Sequence, residues 1–158
     1  MDEAVESVSA RSGGFFVDTN VLLYWLDESE GAKFDRATVW MRALWSAGAG
    51  RISWQVIQEF SANAIKRRGV SKTYVRGVIA ELVERSPPEL NMKLLQRAWH
   101  WNDTAQVSIW DSLIVAAAEQ CGAKWILSED FQPGMRFGEM RVVDPFARTP
   151  AEFGLEIT

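Results

Sequence analysis

The chain has 158 residues, 47% of them hydrophobic and 24% charged, with one cysteine and a net charge of −4. That length favours one domain with a core that needs no covalent staple, and a lone thiol excludes an internal disulfide and a cysteine-rich zinc centre. The acidic balance excludes a global attraction for nucleic acid, so any such binding must come from local basic patches.

The first 14 residues, MDEAVESVSARSGG, carry early acids and no apolar run, unlike a secretory signal. They are expected to give a polar, frayed extension over 1–13. Gly14 to Asp18 is expected as a buried strand, because Phe15, Phe16 and Val17 do not alternate with polar residues. Thr19 or Asn20 can cap a helix over 21–27. A second helix is expected over 32–47, ended by Gly48 and Gly50. A short strand over 51–53 leads into a helix over 54–68, ended by Gly69. Ser71 caps a helix reaching about Arg85, which Pro87 and Pro88 stop. Glu89–Leu90 is expected as a minimal strand, and Asn91 as the cap of a helix over 92–102. Ser108 opens a nearly all-apolar helix over 109–120, closed by Gly122. Strands follow at 124–127, "KWIL", and at 141–143. The domain is expected to span 14–148, followed by a short, loosely held tail over 149–158.

Strands alternating with helices predict an α/β sandwich around a mainly parallel sheet. No segment reaches the ~18–20 apolar residues of a membrane helix, and with one thiol the expected compartment is the cytoplasm. Eight tryptophans supply large core side chains or interface anchors.

Sites in such sheets lie beyond the carboxyl ends of the strands. Asp18 ends the first strand, and Asp130 follows "KWIL" through Ser128 and Glu129. Glu59 and Asp111 sit on helices that can reach the same edge. Each has a structural explanation too: a helix cap for Asp18, a loop acid for Asp130, a capping box "SIWD" for Asp111 and a solvated helix face for Glu59. The helix behind Asp111 is apolar in almost every direction, so burial is expected there, with a positive partner for the carboxylate. Four carboxylates at one edge repel by roughly 4 kcal/mol per close pair at an effective dielectric of about 20. Divalent cations or raised pKa values relieve this. Oxygen ligands without histidine or thiolate suit Mg²⁺ or Mn²⁺, the ions of two-metal phosphodiester hydrolysis.

Three segments, "FFVDTNVLLYWLD", "SWQVIQEF" and "SIWDSLIVAAAEQCGAKWILSEDF", closely resemble the PIN-domain ribonucleases, above all the VapC toxins of toxin–antitoxin pairs. The likeness runs over about residues 14–146. It implies an α/β/α sandwich and a Mg²⁺- or Mn²⁺-dependent endoribonuclease leaving 5′-phosphate and 3′-hydroxyl ends. The family's acids carry over to Asp18, Glu59, Asp111 and Asp130, with Asn20 and Ser128 orienting carboxylates or water. The "SED" order leaves Glu129 as an alternative to Asp130. The resemblance also implies a homodimer and a cognate antitoxin lying in a groove near the active site.

Lys66, Arg67 and Arg68 form a basic run at a helix end, near Lys72 and Arg76, and Lys93 and Arg97 form another pair. Each group is either solvated surface or a contact for RNA phosphates. His100, the only histidine, is expected to be structural. Two rival readings stand beside the nuclease. A haloacid-dehalogenase-like phosphatase also opens on a strand ending in aspartate, but Asn20 stands where its second aspartate belongs. A catalytically weak interaction module is the other, and the presence of all four acids speaks against it. Glycine patterns for P-loop or dinucleotide binding are absent.

Overall fold

Phe15, Phe16 and Val17 form strand β1, fully buried on both faces as a central parallel strand must be. In this computed structural model, residues 13–67 and 69–155 are described. The expected N-terminal extension, apart from Gly13, lies outside the described residues, as do Arg68 and the last three positions. β1 pairs in parallel with β2 (Gly50–Arg51) on one side and β3 (Trp125–Leu127) on the other. β3 pairs in parallel with β5 (Met140–Val143), and β4 (Arg136–Phe137) closes the edge antiparallel to β5. The order is β2-β1-β3-β5-β4. Among the described residues, six helices flank the sheet: α1 (Thr19–Leu26), α2 (Ala32–Ser46), α3 (Trp54–Ala64), α4 (Lys72–Leu82), α5 (Met92–Ala105) and α6 (Ile109–Gln120). The architecture is the expected α/β one.

The caps explain where most helices start. The side chains of Ser53, Ser71, Asn91 and Ser108 accept from the backbone N–H three residues on, which satisfies one otherwise orphaned donor each. Helix α1 begins earlier than expected, with Asp18 itself as the cap. Helix α3 stops at Ala64, short of the expected 68. Helix α4 gives way to a 3₁₀ turn over Val83–Arg85, and α5 runs on to Ala105.

Glu89–Leu90 is not a strand: both residues are exposed in the irregular stretch after Pro88, with no neighbouring strand to pair with. β4 was not foreseen. It is half of a tight hairpin in which Phe137 faces Met140 across Gly138–Glu139, and Gly138 takes φ +62°, open to glycine at no steric cost.

The expected loose tail is packed where it is described. Pro150 is buried and Leu155 is 2% exposed. The Phe153 ring stands edge-on to Phe15 and Trp125, with centroids 5.3 and 5.5 Å away. Trp40 joins this cluster, its indole N–H donating to the carbonyls of Pro145 and Arg148. Full burial of a phenylalanine side chain, as at Phe15, contributes about 1.5–3 kcal/mol. The aromatic core anchors β1 and β3, and so fixes what leaves their carboxyl ends.

Candidate active site

The chain leaves β1 for its neighbour on one side by way of α1 and α2, and the other neighbour, β3, is reached only later. The crevice between the carboxyl ends of β1 and β3 is therefore the place where such sheets bind ligands. Register fills it. Val17, Leu127 and Val143 are aligned across the sheet. The Asp18 N–H donates to Leu127 O at 3.0 Å and the Ser128 N–H to Val143 O at 3.1 Å. Asp18, Ser128 and Asp144 are thus the first residues beyond three adjacent strands.

Asp18 meets both readings of its role. Its Oδ1 accepts from the Thr19 N–H at 2.8 Å, at the start of α1. Its Oδ2 accepts from Ser128 Oγ at 2.7 Å and lies 3.3 Å from Asn20 Nδ2. Asn20 Nδ2 donates to Asp130 Oδ2 at 3.0 Å and is 3.2 Å from Ser128 Oγ, which also accepts the Asp130 N–H at 3.1 Å. One amide and one hydroxyl therefore tie the two aspartates into a single network.

Glu59 comes from α3. Phe60, Ile57 and Val56 are buried on that helix, and Glu59 is turned toward α1. Its Oε2 accepts from Thr19 Oγ1 at 2.7 Å and its Oε1 from Gln55 Nε2 at 3.1 Å. Gln55 Nε2 also lies 3.3 Å from Trp110 O, which links α3 to the first turn of α6, where Asp111 sits. The Asp111 N–H donates to Ser108 Oγ at 3.1 Å, one half of the capping box. The expected all-round burial of α6 holds for 112–118 but not for its first turn. Trp110 is 68% exposed and Asp111 half-buried.

Electrostatics join the four acids more closely than hydrogen bonds do. Burial pushes the Asp18 carboxyl up to about 6, against the hydrogen bonds from Ser128 and Thr19, and the charges of Asp130 and Glu59 add to the rise. Asp111 is raised as well, first by burial and then by the same two charges. Among the described residues none of the four is ion-paired with a lysine or arginine, so the positive partner expected for Asp111 is not there. Nor, among those residues, are three acidic, histidine or cysteine side chains gathered into a ready-made ion cage. The donor chemistry nevertheless fits a hard divalent cation: only oxygens, no counter-charge among the described residues, and two carboxyls whose ionisation is made costly by burial and the remaining acids.

The Glu129 carboxylate takes no part in this network, although its N–H donates to Asn20 Oδ1 at 3.4 Å. Its carboxylate is held by Lys33 and Tyr24, at 2.8 and 2.6 Å. Burial raises its carboxyl, but those hydrogen bonds and the lysine charge outweigh that and hold it below the ordinary range. Lys66 is exposed past the end of α3, while Arg67 turns to Asp27 and Glu30, at 3.4 and 3.1 Å. Arg68 is outside the described residues. Lys72, Arg76 and Lys93 are exposed, and Arg97 forms a two-pronged pair with Glu119. His100 is an exposed ring stacked edge-on to Trp101.

Four partners of the acids escaped the sequence. Gln55, four residues before Glu59 on one helix face, was findable by spacing. Thr19 was considered only as a cap. Tyr24 and Lys33 approach Glu129 from about a hundred positions away, and no local pattern announces that. Asp144 lies in register with Asp18 but uses its Oδ1 to accept the Phe146 N–H at 2.9 Å.

Comparison with known proteins adds one match and one blank. A model of the PIN domain matches residues 15–133, a span that contains all four acids. No curated protein matches the chain. PIN domains are typically nucleases, acting on nucleic acids and generally using divalent metal ions. The match covers most of the chain, from β1 through the Asp130 turn, and on it the chain belongs to the PIN-domain family.

Proposed function

We propose that the chain is a Mg²⁺- or Mn²⁺-dependent endoribonuclease that acts as the toxin of a VapC-type toxin–antitoxin pair. The observation that carries the chemistry is the set of four carboxylates, none ion-paired with a lysine or arginine among the described residues, one of them pushed up to about 6, at the topological crevice of the sheet. Asp18, Glu59, Asp111 and Asp130 would hold the ion or ions. When bound, such an ion acidifies water and stabilises charge on the leaving oxygen. The protein's own contribution is positional. Ser128 and Asn20 fix Asp18 and Asp130 relative to each other, Thr19 and Gln55 fix Glu59, and the Ser108 cap fixes the turn bearing Asp111. Lys66, exposed at the end of α3, serves as a phosphate contact, and Arg67, already paired, does not.

The toxin role, RNA as the substrate, a homodimer, a cognate antitoxin and a cytoplasmic setting rest on the sequence resemblance to VapC proteins. Purified protein stripped with EDTA should leave RNA intact and cut it on addition of Mg²⁺ or Mn²⁺, giving 5′-phosphate ends. Induced wild type should arrest growth and Asp18→Asn should not. RNA cleavage that persists in EDTA, or equal toxicity of the two proteins, would sink the proposal.

A further inference from the structure

We infer that Lys33 and Tyr24 are positioning residues of the acidic centre: they hold Glu129 outside it and thereby aim Asp130 into it. The inference rests on the reading of the four acids as a cation-binding nuclease centre. Two acids stand side by side after β3, and nothing in their order says which enters. The structure gives them different partners.

Glu129 Oε2 accepts from Lys33 Nζ at 2.8 Å, and its Oε1 accepts from Tyr24 Oη at 2.6 Å. Lys33 Nζ is itself fixed, 3.3 Å from Tyr24 Oη and 4.7 and 5.1 Å from the ring centroids of Tyr24 and Phe146. Those two rings meet edge to face at 5.2 Å. An ammonium on a free stem gives a weak, mobile pair, whereas one seated against two aromatic faces has one place to be.

The same helix holds both acids. Asn20 and Tyr24 lie one turn apart on α1. Asn20 Nδ2 donates to Asp130 Oδ2 at 3.0 Å, and its Oδ1 accepts the Glu129 N–H at 3.4 Å. Tyr24, one turn further on, donates to the Glu129 carboxylate instead. Rotation of the turn that carries 129 and 130 would have to break both ties at once. A released Glu129 would also bring a fifth negative charge toward carboxyls that already repel one another.

The test is calorimetric titration of EDTA-stripped full-length protein with Mn²⁺ alone, with the melting temperature of each variant recorded. Lys33→Met and Glu129→Gln should each weaken Mn²⁺ binding about tenfold, as loss of a group that orients a ligand does. Lys33→Arg should recover most of it. Tyr24→Phe, which keeps the ring and removes one hydroxyl, should give a smaller loss without a change in melting temperature. The double variant Lys33→Met/Glu129→Gln should be no weaker than the weaker single one, because both break one clamp. In RNA cleavage the loss should fall on the Mn²⁺ requirement and kcat, with KM for RNA unchanged. Mn²⁺ binding that is unchanged or tighter in Lys33→Met overturns the inference, as do additive losses in the double variant. So does a raised KM for RNA with unchanged Mn²⁺ affinity, which would make Lys33 a phosphate contact. Wild type that neither binds Mn²⁺ nor cuts RNA would instead remove the nuclease reading, and this inference with it.

Discussion

The two ends of helix α1 carry aspartates of nearly equal surface exposure and opposite behaviour. Asp18, 7% exposed, caps the end where backbone N–H groups favour an anion, yet its carboxyl is pushed up to about 6. Asp27, 6% exposed, follows the end where carbonyls disfavour an anion, yet it is held below the ordinary range. The helix dipole predicts the reverse order. Burial decides at Asp18, with the charges of Asp130 and Glu59 adding to it, and local donors decide at Asp27. Asp27 accepts from Ser29 Oγ and the Ser29 N–H at 2.5 and 3.1 Å and lies 3.4 Å from Arg67. Asp18 is buried with donors from Thr19, Ser128 and, at 3.3 Å, Asn20, and the charges acting on it are those of Asp130 and Glu59. One end of the helix is settled as structure. The other is left under a strain that a cation would relieve.

Breaking that contrast at Asp18 should have the largest effect. Asp18→Asn keeps the cap and removes the charge, and metal-dependent RNA cleavage should fall a hundredfold or more, comparable to loss of a group that stabilises transition-state charge. A steady-state cleavage assay checks this.

Stability against pH should sharpen it next. The folded-state pKa of Asp18 is raised from 3.8 to about 6, so its contribution is fully present below pH 3.8 and is lost as pH rises through about 6. The difference corresponds to about 3 kcal/mol. In EDTA, Asp18→Asn should therefore unfold at higher denaturant than wild type at pH 7 and show no such gain at pH 4. Asp27 has the opposite sign. Its folded-state pKa is lowered, so its contribution is present above its ordinary 3.8 and is lost as pH falls through the lower folded value. Asp27→Asn should cost stability at pH 7 and little at strongly acid pH. Denaturant melts of the three proteins across pH 3 to 8 measure both.

Ser128→Ala removes the hydroxyl that joins Asp18 to the Asp130 turn, and should weaken Mn²⁺ binding about tenfold by calorimetry. The smallest effect belongs to the settled end. Arg67→Gln should cost at most about 1 kcal/mol of stability, the scale of a surface ion pair, and leave RNA affinity unchanged. Lys66→Glu should weaken RNA binding in a salt-dependent way. A filter-binding series over ionic strength separates the two basic residues.

Much of this was legible in the residues themselves, and the gaps have causes. The unbroken run Phe15–Val17 announces a strand buried on both faces, and its end at Asp18 places a carboxylate at the sheet's mouth without any structure. Ser53, Ser71, Asn91 and Ser108 mark helix starts because a cap acts within one turn. Two-residue β4 escaped because its existence depends on β5 across the hairpin, although Gly138 before Glu139 is a turn signal. The apolar letters of α6 could not show that Trp110 stands exposed, since exposure is decided by what α3 places opposite it. The sequence favours Asp130 over Glu129 only through the family resemblance, and the Lys33 and Tyr24 contacts of Glu129 exist only in the fold.

The most direct test of the acidic centre is the titration of the Asp18 carboxyl carbon by NMR, with and without Mg²⁺. The carboxyl should titrate near pH 6 in EDTA and move to clearly lower pH when Mg²⁺ is added, as a cation takes over the charge that the neighbouring acids now oppose. A carboxyl that titrates near 4 and ignores Mg²⁺ would contradict the account.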